Sequence, residues 1–303
     1  MSSLVSVVVI SFNSSKTIVE TLDSIKNQTY KNVELIIADD CSKDKTVEIA
    51  KKWKEENSQC GLVNITIVAN EKNLGTCGNL NSGIRVSNGK WIKILAADDL
   101  LVPEACEEFV NFAEKQNVEF VLSDVKVFPE NKIAEKAYED FFETAFDSLK
   151  KKQRNILSKN TYPGPAYFFS RELYDTVGGF NTEYDLSEEW HFCFHVLLRG
   201  VDIVPLNKKL ILYRFAESSV SHTKKVNKRL LKGEFNFFKK ERKKQLLKKG
   251  RILTVMTQGY NYFVDYNIDN PLVWKFLHYL DLYNWYKYMW IKKQLRLEKK
   301  QGE

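Results

Sequence analysis

A chain of 303 residues, 44% hydrophobic and 28% charged, suits a soluble globular protein of one large domain or two modest ones. No apolar run approaches the roughly 20 residues that cross a bilayer, and the opening residues lack the length and basic flank of a signal peptide. Five cysteines, odd in number and without a C-x-x-C pair, argue against a disulfide framework or zinc site, and the net charge of +7 is concentrated locally rather than spread evenly.

Residues 4–10 are a Val-rich apolar run, as expected of a strand buried on both faces. Ser11-Phe12-Asn13-Ser14 breaks it, and Ser14 or Ser15 can cap a helix carrying Ile18, Leu22 and Ile25. A second strand over 33–38 ends at Asp39-Asp40, followed by a helix over 44–54 and a strand over 63–68. A Gly-rich start opens a helix over 75–86, and a fourth strand, 91–95, runs toward Asp98-Asp99 before Pro103 opens another helix. This alternation predicts βαβ units and a doubly wound parallel sheet in residues 1–101. Three strand ends then carry polar groups to the carboxyl edge, where such sheets bind ligands. Neither G-x-G-x-x-G nor G-x-x-x-x-G-K-[ST] occurs, which disfavours a dinucleotide or P-loop site. Asp98 and Asp99 suit a hard divalent cation and its phosphates, or they end the strand and cap the next helix.

Beyond Pro103 the pattern loosens. A strand is expected over 118–128, a charged helical insertion over 138–154, and a rigid loop at Thr161-Tyr162-Pro163-Gly164-Pro165 before the apolar run 166–169. Gly178-Gly179-Phe180 reads as a turn, and Glu188-Glu189-Trp190 as the start of a helix ending near Gly200. Acids in a first turn favour the helix dipole, which is one account of Glu188 and Glu189. His191 and His195, four apart, can pair on a metal or pack in a core. Short strands over 202–205 and 210–215 follow, and Tyr213-Arg214 can hold a diphosphate or end a strand.

In the order given, these stretches resemble the family 2 glycosyltransferases over residues 4 to about 222. The matching runs are Ser6–Asn13, Asp39-Asp40-Cys41-Ser42, Asn73-Leu74-Gly75 with Asn79 and Asn81, Ala96-Ala97-Asp98-Asp99, Gly178-Gly179-Phe180 and Glu188-Glu189-Trp190. Ala96 stands where many members carry Asp; Leu80 replaces an Arg common in the third motif, and Arg85 lies farther along the same helix. The resemblance implies a GT-A catalytic domain, an α/β fold, over 1–222, with a donor half (1–101) and an acceptor half (102–222). It implies an inverting transfer of sugar from a nucleoside diphosphate, with UDP the expected nucleoside, to a glycan or lipid-linked glycan. Mn²⁺ or Mg²⁺ on Asp98 and Asp99 would serve the diphosphate, with Glu189, or its neighbour Glu188, as general base. Ser11, Phe12, Asn13, Asp39, Asp40, Asn73, Gly75, Asn81, Arg85, Asp98, Tyr213 and Arg214 are the implied donor contacts. Trp190, His191 and Pro165 are the implied acceptor contacts.

The family pattern is lost in residues 223–303, an expected helical extension. Residues 224–251 hold thirteen basic side chains against Glu234 and Glu241, a local charge of +11. Farther on, Phe276, Tyr279, Leu280, Tyr283, Tyr286 and Trp290 share a helical arc. A basic helix beside an aromatic one suits an anionic membrane surface; the aromatic face equally suits packing on the catalytic domain or on a second subunit of a homodimer. No nucleic-acid motif appears. The expectation is a cytoplasmic protein, peripheral at the inner membrane face where it meets lipid.

Overall fold

The computed structural model of the protein describes residues 2–129, 164–184, 188–215, 228–248, 250 and 252–267. The expected insertion over 138–154, Thr161-Tyr162-Pro163, Leu186-Ser187, the 216–222 segment and the aromatic helix over 276–290 lie outside them. The chain divides into two compact units, Met1–His222 and Thr223–Glu303.

The first unit is built on one mixed eight-stranded sheet. At its centre β1 (Val5–Ser11) pairs in parallel with β2 (Val33–Asp39) on one side and β4 (Trp91–Ala96) on the other. Strand β3 (Asn64–Ala69) extends the parallel half beyond β2. The valines of β1 and all of β2 are buried, so the unbroken apolar runs follow from burial on both faces. Past β4 the order continues through β7 (Tyr167–Ser170), β6 (Phe120–Phe128), β8 (Val204–Arg214) and the two-residue β5 (Leu100–Leu101). Here β7 is antiparallel to both neighbours and β5 is antiparallel to β8, while β6 and β8 run parallel.

Helices α1 (Ile18–Lys26), α2 (Thr46–Glu56), α3 (Gly75–Arg85) and α4 (Ala105–Gln116) make the parallel crossovers and cover the sheet. Helix α1 begins at Ile18 with Thr17 at its cap, not directly after Ser14, whose carbonyl instead accepts from the Thr17 and Ile18 amides. Gly83 of α3 lies so close to the sheet that a Cβ would come 2.7 Å from Val8 Cγ1. Helix α5 (Arg171–Val177) was not legible as a helix beforehand; Ser170 caps it through a 3.0 Å bond from the Leu173 amide. Gly178 and Gly179 then take the left-handed conformation (φ +85° and +73°), the turn expected there. Helix α6 (Glu188–Leu198) follows.

The two short strands expected over 202–205 and 210–215 are one strand, β8. Its register against β6 skips Asn207 and Lys208 and then Leu210, with Lys209 opposite Asp124, so an irregular stretch carries the exposed Asn207-Lys208-Lys209 without ending the pairing.

In the second unit, α7 (Lys228–Phe237) passes through a π-helical turn (Phe238–Arg242) into α8 (Lys243–Lys248), and α9 (Ile252–Asn267) packs against them. Buried Arg242 on the π turn donates to Gln258 Oε1 at 2.7 Å and Tyr262 Oη at 3.1 Å. No helix among the described residues is long and apolar enough to cross a membrane.

Candidate active site

The register brings Ser11 opposite Asp39, and Ile10 opposite Ala96, so β1, β2 and β4 end level at the carboxyl edge. The turn after β4 is pinned from several directions. The Ala97 amide donates to Ile10 O at 2.9 Å, and the three carbonyls of residues 97–99 each accept from a side chain: Thr17 Oγ1 to Ala97 O (2.7 Å), Arg214 Nε to Asp98 O (2.8 Å) and Thr21 Oγ1 to Asp99 O (2.9 Å). Helix α1 and the end of β8 thus hold the backbone that carries the two acids, and no local sequence pattern announces it.

The carboxyl groups themselves are left partly unsatisfied. Asp99 is 1% exposed; its Oδ1 accepts from the Arg214 amide at 2.8 Å, while Oδ2 has no hydrogen-bond partner among the described residues. Burial, then the Asp98 charge, pushes the Asp99 carboxyl up to about 8, against the Arg214 amide and the Lys93 and Arg214 charges. Burial also raises Asp98, opposed by its own backbone N–H and by Arg214. A buried carboxylate oxygen without a partner is unfavourable unless a donor or cation reaches it. Two adjacent carboxylates with such an oxygen fit a hard divalent cation, which commonly takes one or two protein carboxylates and completes its shell with water and phosphate oxygens. Among the described residues no group of three or more His, Cys, Asp or Glu side chains could hold a metal, and this pair is the candidate they offer. The Arg214 guanidinium is committed elsewhere: Nη2 donates to Glu20 Oε2 at 2.5 Å, and the group stacks 4.4 Å from the Phe128 ring centroid. Tyr213, half-buried, sits opposite Val127 on β6.

On the β1–β2 side, Asp39 Oδ1 accepts from Ser11 Oγ (3.0 Å) and Ser42 Oγ (2.5 Å), and Oδ2 from the Ser42 amide (2.8 Å). Asp40 caps α3, accepting from the amides of Leu74 (2.6 Å) and Gly75 (3.0 Å). Gly75 needs no Cβ here because its φ is +74°. Asn73 bridges the same corner, donating to Asp40 O (3.3 Å) and accepting from the Gly75 amide (3.3 Å). Asn13, at φ +52°, accepts from the Lys43 amide at 2.8 Å, and Phe12 is half exposed. Ser11, Phe12, Asn13, Asp39, Asp40, Asn73 and Gly75 thus gather at one end of the parallel strands.

Two expected donor contacts are not brought there. Asn81 is spent inside the protein: Oδ1 accepts from Tyr174 Oη (2.6 Å) and the Phe180 amide (3.0 Å), and Nδ2 donates to Phe180 O (2.7 Å). Arg85, exposed, closes α3 at the end away from Gly75, about 15 Å along the helix axis at 1.5 Å per residue. Helical spacing alone groups these residues with the third motif without telling which end of α3 faces the site.

On the acceptor side Glu188 opens α6 and Glu189 is half-buried. Trp190 and His191 are buried; His191 Nε2 lies 3.6 Å from Cys77 Sγ and its ring 5.5 Å from that of Tyr184. His191 thus packs between α6 and Cys77 of α3. Pro165 is half-buried, and its carbonyl accepts from Lys93 Nζ. Lys93, fully buried in β4, escaped the sequence reading, although a lysine inside an otherwise apolar strand was the signal. Burial brings its ammonium down to about 7, opposed by Cys106 and Asp99.

The family described as Glycosyl transferase family 2 matches residues 6–178, more than half of the chain. An uncharacterized glycosyltransferase of Haemophilus influenzae is 28% identical over 198 residues, 64% of this chain and 62% of that protein. The Escherichia coli protein named UDP-Glc:alpha-D-GlcNAc-diphosphoundecaprenol beta-1,3-glucosyltransferase WfaP is 33% identical over 121 residues, 40% of this chain and 45% of its own length. The Escherichia coli protein WfgD, named for the same reaction, is 26% identical over 224 residues, 73% of this chain and 81% of its own. The chain thus spans less than two thirds of the length of the first two relatives. Among solved structures, S. aureus TarS 1–349 in complex with UDP-GlcNAc gives a TM-score of 0.59 at 18% identity, covering 87% of this chain and 81% of that one. The mannosyltransferase PcManGT from Pyrobaculum calidifontis, in complex with GDP-Man and Mn²⁺, gives 0.58 at 23% identity, covering 72% and 59%. At these identities the likeness speaks for the fold, which is the GT-A fold of nucleotide-sugar transferases. With its family profile, curated relatives and fold in agreement, the chain belongs to glycosyl transferase family 2.

Proposed function

We propose that the protein is an inverting glycosyltransferase, moving a sugar from a UDP-sugar to a hydroxyl of a glycan or lipid-linked glycan during surface polysaccharide or oligosaccharide synthesis. The observation that carries this reading is the buried Asp99 Oδ2, which has no partner among the described residues and lies beside a second carboxylate at the carboxyl edge. Asp98 and Asp99 would hold Mn²⁺ or Mg²⁺. When bound, that cation neutralises charge building on the departing diphosphate.

The chain's own groups supply the rest. Asp39 Oδ2 carries one protein donor and keeps acceptor capacity for the nucleoside, with Ser11, Phe12 and Asn13 beside it. Glu189 takes the proton of the acceptor hydroxyl as that oxygen attacks the anomeric carbon opposite the leaving diphosphate. A single displacement from the opposite side inverts the anomeric configuration. The donor and acceptor classes are supported by the names of WfaP and WfgD, which specify UDP-Glc and a GlcNAc-diphosphoundecaprenol acceptor. A lipid-linked acceptor would place the protein at the inner face of the membrane, with residues 224–303 as the contact or, in the other arrangement, as a homodimer face.

The test is a screen of UDP-glucose, UDP-GlcNAc and GDP-mannose for Mn²⁺-dependent release of nucleotide in the presence of a GlcNAc-diphospholipid. Turnover with one UDP-sugar and an inverted anomeric centre, read by NMR, is expected; a product retaining the donor's configuration overturns the mechanism. Ala96, where many members carry Asp, favours a second reading: a nucleotide-sugar binder without turnover. Tight Mn²⁺-dependent UDP binding with no transfer to any acceptor would select it.

A further inference from the structure

Lys93 is out of keeping with its surroundings, a fully buried ammonium in the middle of β4. Such a charge persists only where it is well solvated by protein groups. Its Nζ donates to the carbonyls of Ile94 (2.9 Å), Tyr167 (3.3 Å) and Pro165, which accounts for all three of its protons, and the Phe109 ring centroid lies 5.6 Å away. One carbonyl belongs to its own strand; of the other two, Pro165 lies just before β7 and Tyr167 is the first residue of β7. The β4–β7 pairing runs from Trp91 opposite Ser170 to Lys93 opposite Phe168 and stops there. Where the ladder ends, the ammonium bridges the parting backbones.

The segment it holds touches Glu189 at both ends. A Cβ on Gly164 would lie 2.7 Å from Glu189 Cγ and 3.1 Å from its Oε1, so the carboxylate arm rests on bare backbone. At the other end Tyr167 Oη donates to Glu189 O at 3.2 Å and itself accepts from Cys193 Sγ at 3.0 Å. Six residues beyond Lys93 on the same stretch of chain stands Asp99.

We propose that Lys93 is a positioning residue for the acceptor side of the reaction: its ammonium clamps the Pro165 and Tyr167 carbonyls and so sets Glu189 relative to the strand leading to Asp98 and Asp99. The inference rests on the reading of Glu189 as the base. An apolar side chain of similar length loses all three charge-assisted bonds, the 164–167 segment relaxes, and Glu189 moves with it. A displacement of about 1 Å at a catalytic group is enough for roughly a 10²-fold loss of rate.

The test compares Lys93→Met with the unaltered full chain by three readouts. Hydrogen exchange at the amides of Ala166, Tyr167, Glu189 and Trp190 is expected to quicken by about tenfold or more while β1 and β2 keep their protection. Calorimetric UDP affinity with Mn²⁺ stays within about threefold, and kcat for transfer from UDP-glucose to a GlcNAc-diphospholipid falls roughly 10–100-fold at unchanged donor KM. Unchanged local exchange overturns the proposal, as does a uniform loss of protection across the sheet or loss of UDP binding, either of which marks an ordinary structural role. If Lys93→Met fails to fold, Gly164→Ala presses on Glu189 from the same segment; retained kcat in that variant overturns the proposal. Glu189→Gln separates the two readings: turnover retained there removes Glu189 as base, while the exchange result decides the Lys93 clamp by itself.

Discussion

The backbone N–H of Arg214 donates to Asp99 Oδ1 at 2.8 Å and leaves Oδ2 of the same carboxylate buried without a partner among the described residues. The fold thus orients the acid from one side and keeps its other oxygen available. Such an arrangement opposes stability and favours ligand binding. Asp99→Asn is expected to lower transfer by at least about 10²-fold, the loss typical of removing one preorganised electrostatic group. In the metal-free fold Asp99 stays protonated up to about 8, while the unfolded carboxyl ionises above about 3.8. An amide ionises in neither state and removes that linkage penalty, so the metal-free protein is expected to gain about 2–4 °C in Tm near neutral pH if the relief is near 1 kcal/mol. Calorimetry and an activity assay on one preparation check both; full activity in Asp99→Asn would remove the acid from the centre of the site.

Proton linkage gives a second prediction. Asp99 holds its proton up to about 8 in the folded chain against 3.8 as an ordinary carboxyl, so between those values the folded state binds more protons and stability falls as pH rises. Lys93 behaves oppositely. Its ammonium titrates near 7 folded against 10.5 otherwise, so from 7 upward the unfolded state binds more protons and stability rises with pH. Their combined contribution is least near neutrality. Differences in Tm between the unaltered chain and Asp99→Asn should therefore grow from pH 5 to 8, and those with Lys93→Met should shrink from pH 7 to 10. A metal ligand must be deprotonated, so Mn²⁺-dependent UDP affinity is expected to strengthen with pH up to about 8. Flat titrations would contradict both assignments.

Asn81 tests how far motif position stands in for function. All three of its described bonds go to Tyr174 and Phe180, stitching α3 to the Gly178-Gly179 turn. Asn81→Ala leaves the Phe180 amide and carbonyl without these partners and is expected to destabilise by about 1–3 kcal/mol. UDP affinity is expected to change by no more than about twofold, because a residue tied up in this way acts through the fold. Denaturant unfolding and calorimetry distinguish the outcomes; a large loss of UDP binding at unchanged stability would return Asn81 to the donor site.

The strands of the parallel half were legible because burial on both faces leaves unbroken apolar runs, and α1 because Ile18, Leu22 and Ile25 recur at helical spacing. The end of β8 was legible, but its continuity was not: an irregular stretch with three exposed polar residues looks like a break when pairing partners are unknown. The acids were legible as residue types at a strand end. What surrounds them was not. Thr21 to Asp99 O and Arg214 to Asp98 O span 78 and 116 positions in the sequence, so no local pattern records them. Nor could spacing reveal that Arg85 closes α3 at the end opposite Gly75, since direction across a sheet is set by topology.

The second unit yields the last prediction. Lys232, Lys239, Lys240, Lys243, Lys244 and Lys248 are all exposed; Leu247, on α8 with three of them, and Ile252 and Met256, on the neighbouring α9, are exposed large apolar side chains. Arg242 by contrast is buried and bonded to Gln258 and Tyr262, so it belongs to the packing and not to the charged face. Lysines interspersed with exposed Leu, Ile and Met match an anionic lipid surface, where each near-surface lysine contributes about 1 kcal/mol and apolar side chains enter the headgroup boundary. Replacing Lys239, Lys240, Lys243 and Lys244 with Ser should then weaken binding to vesicles containing phosphatidylglycerol by roughly 10²–10³-fold. Binding to neutral phosphatidylcholine vesicles should be weak throughout, and rising salt should mimic the substitutions. Co-sedimentation of the full chain measures all of this, with circular dichroism of each variant as the control for folding. If the unaltered chain ignores anionic vesicles, or binds neutral ones equally well, the lysine face has no lipid role, and sedimentation equilibrium on the same variants would show whether it instead joins two copies of the chain.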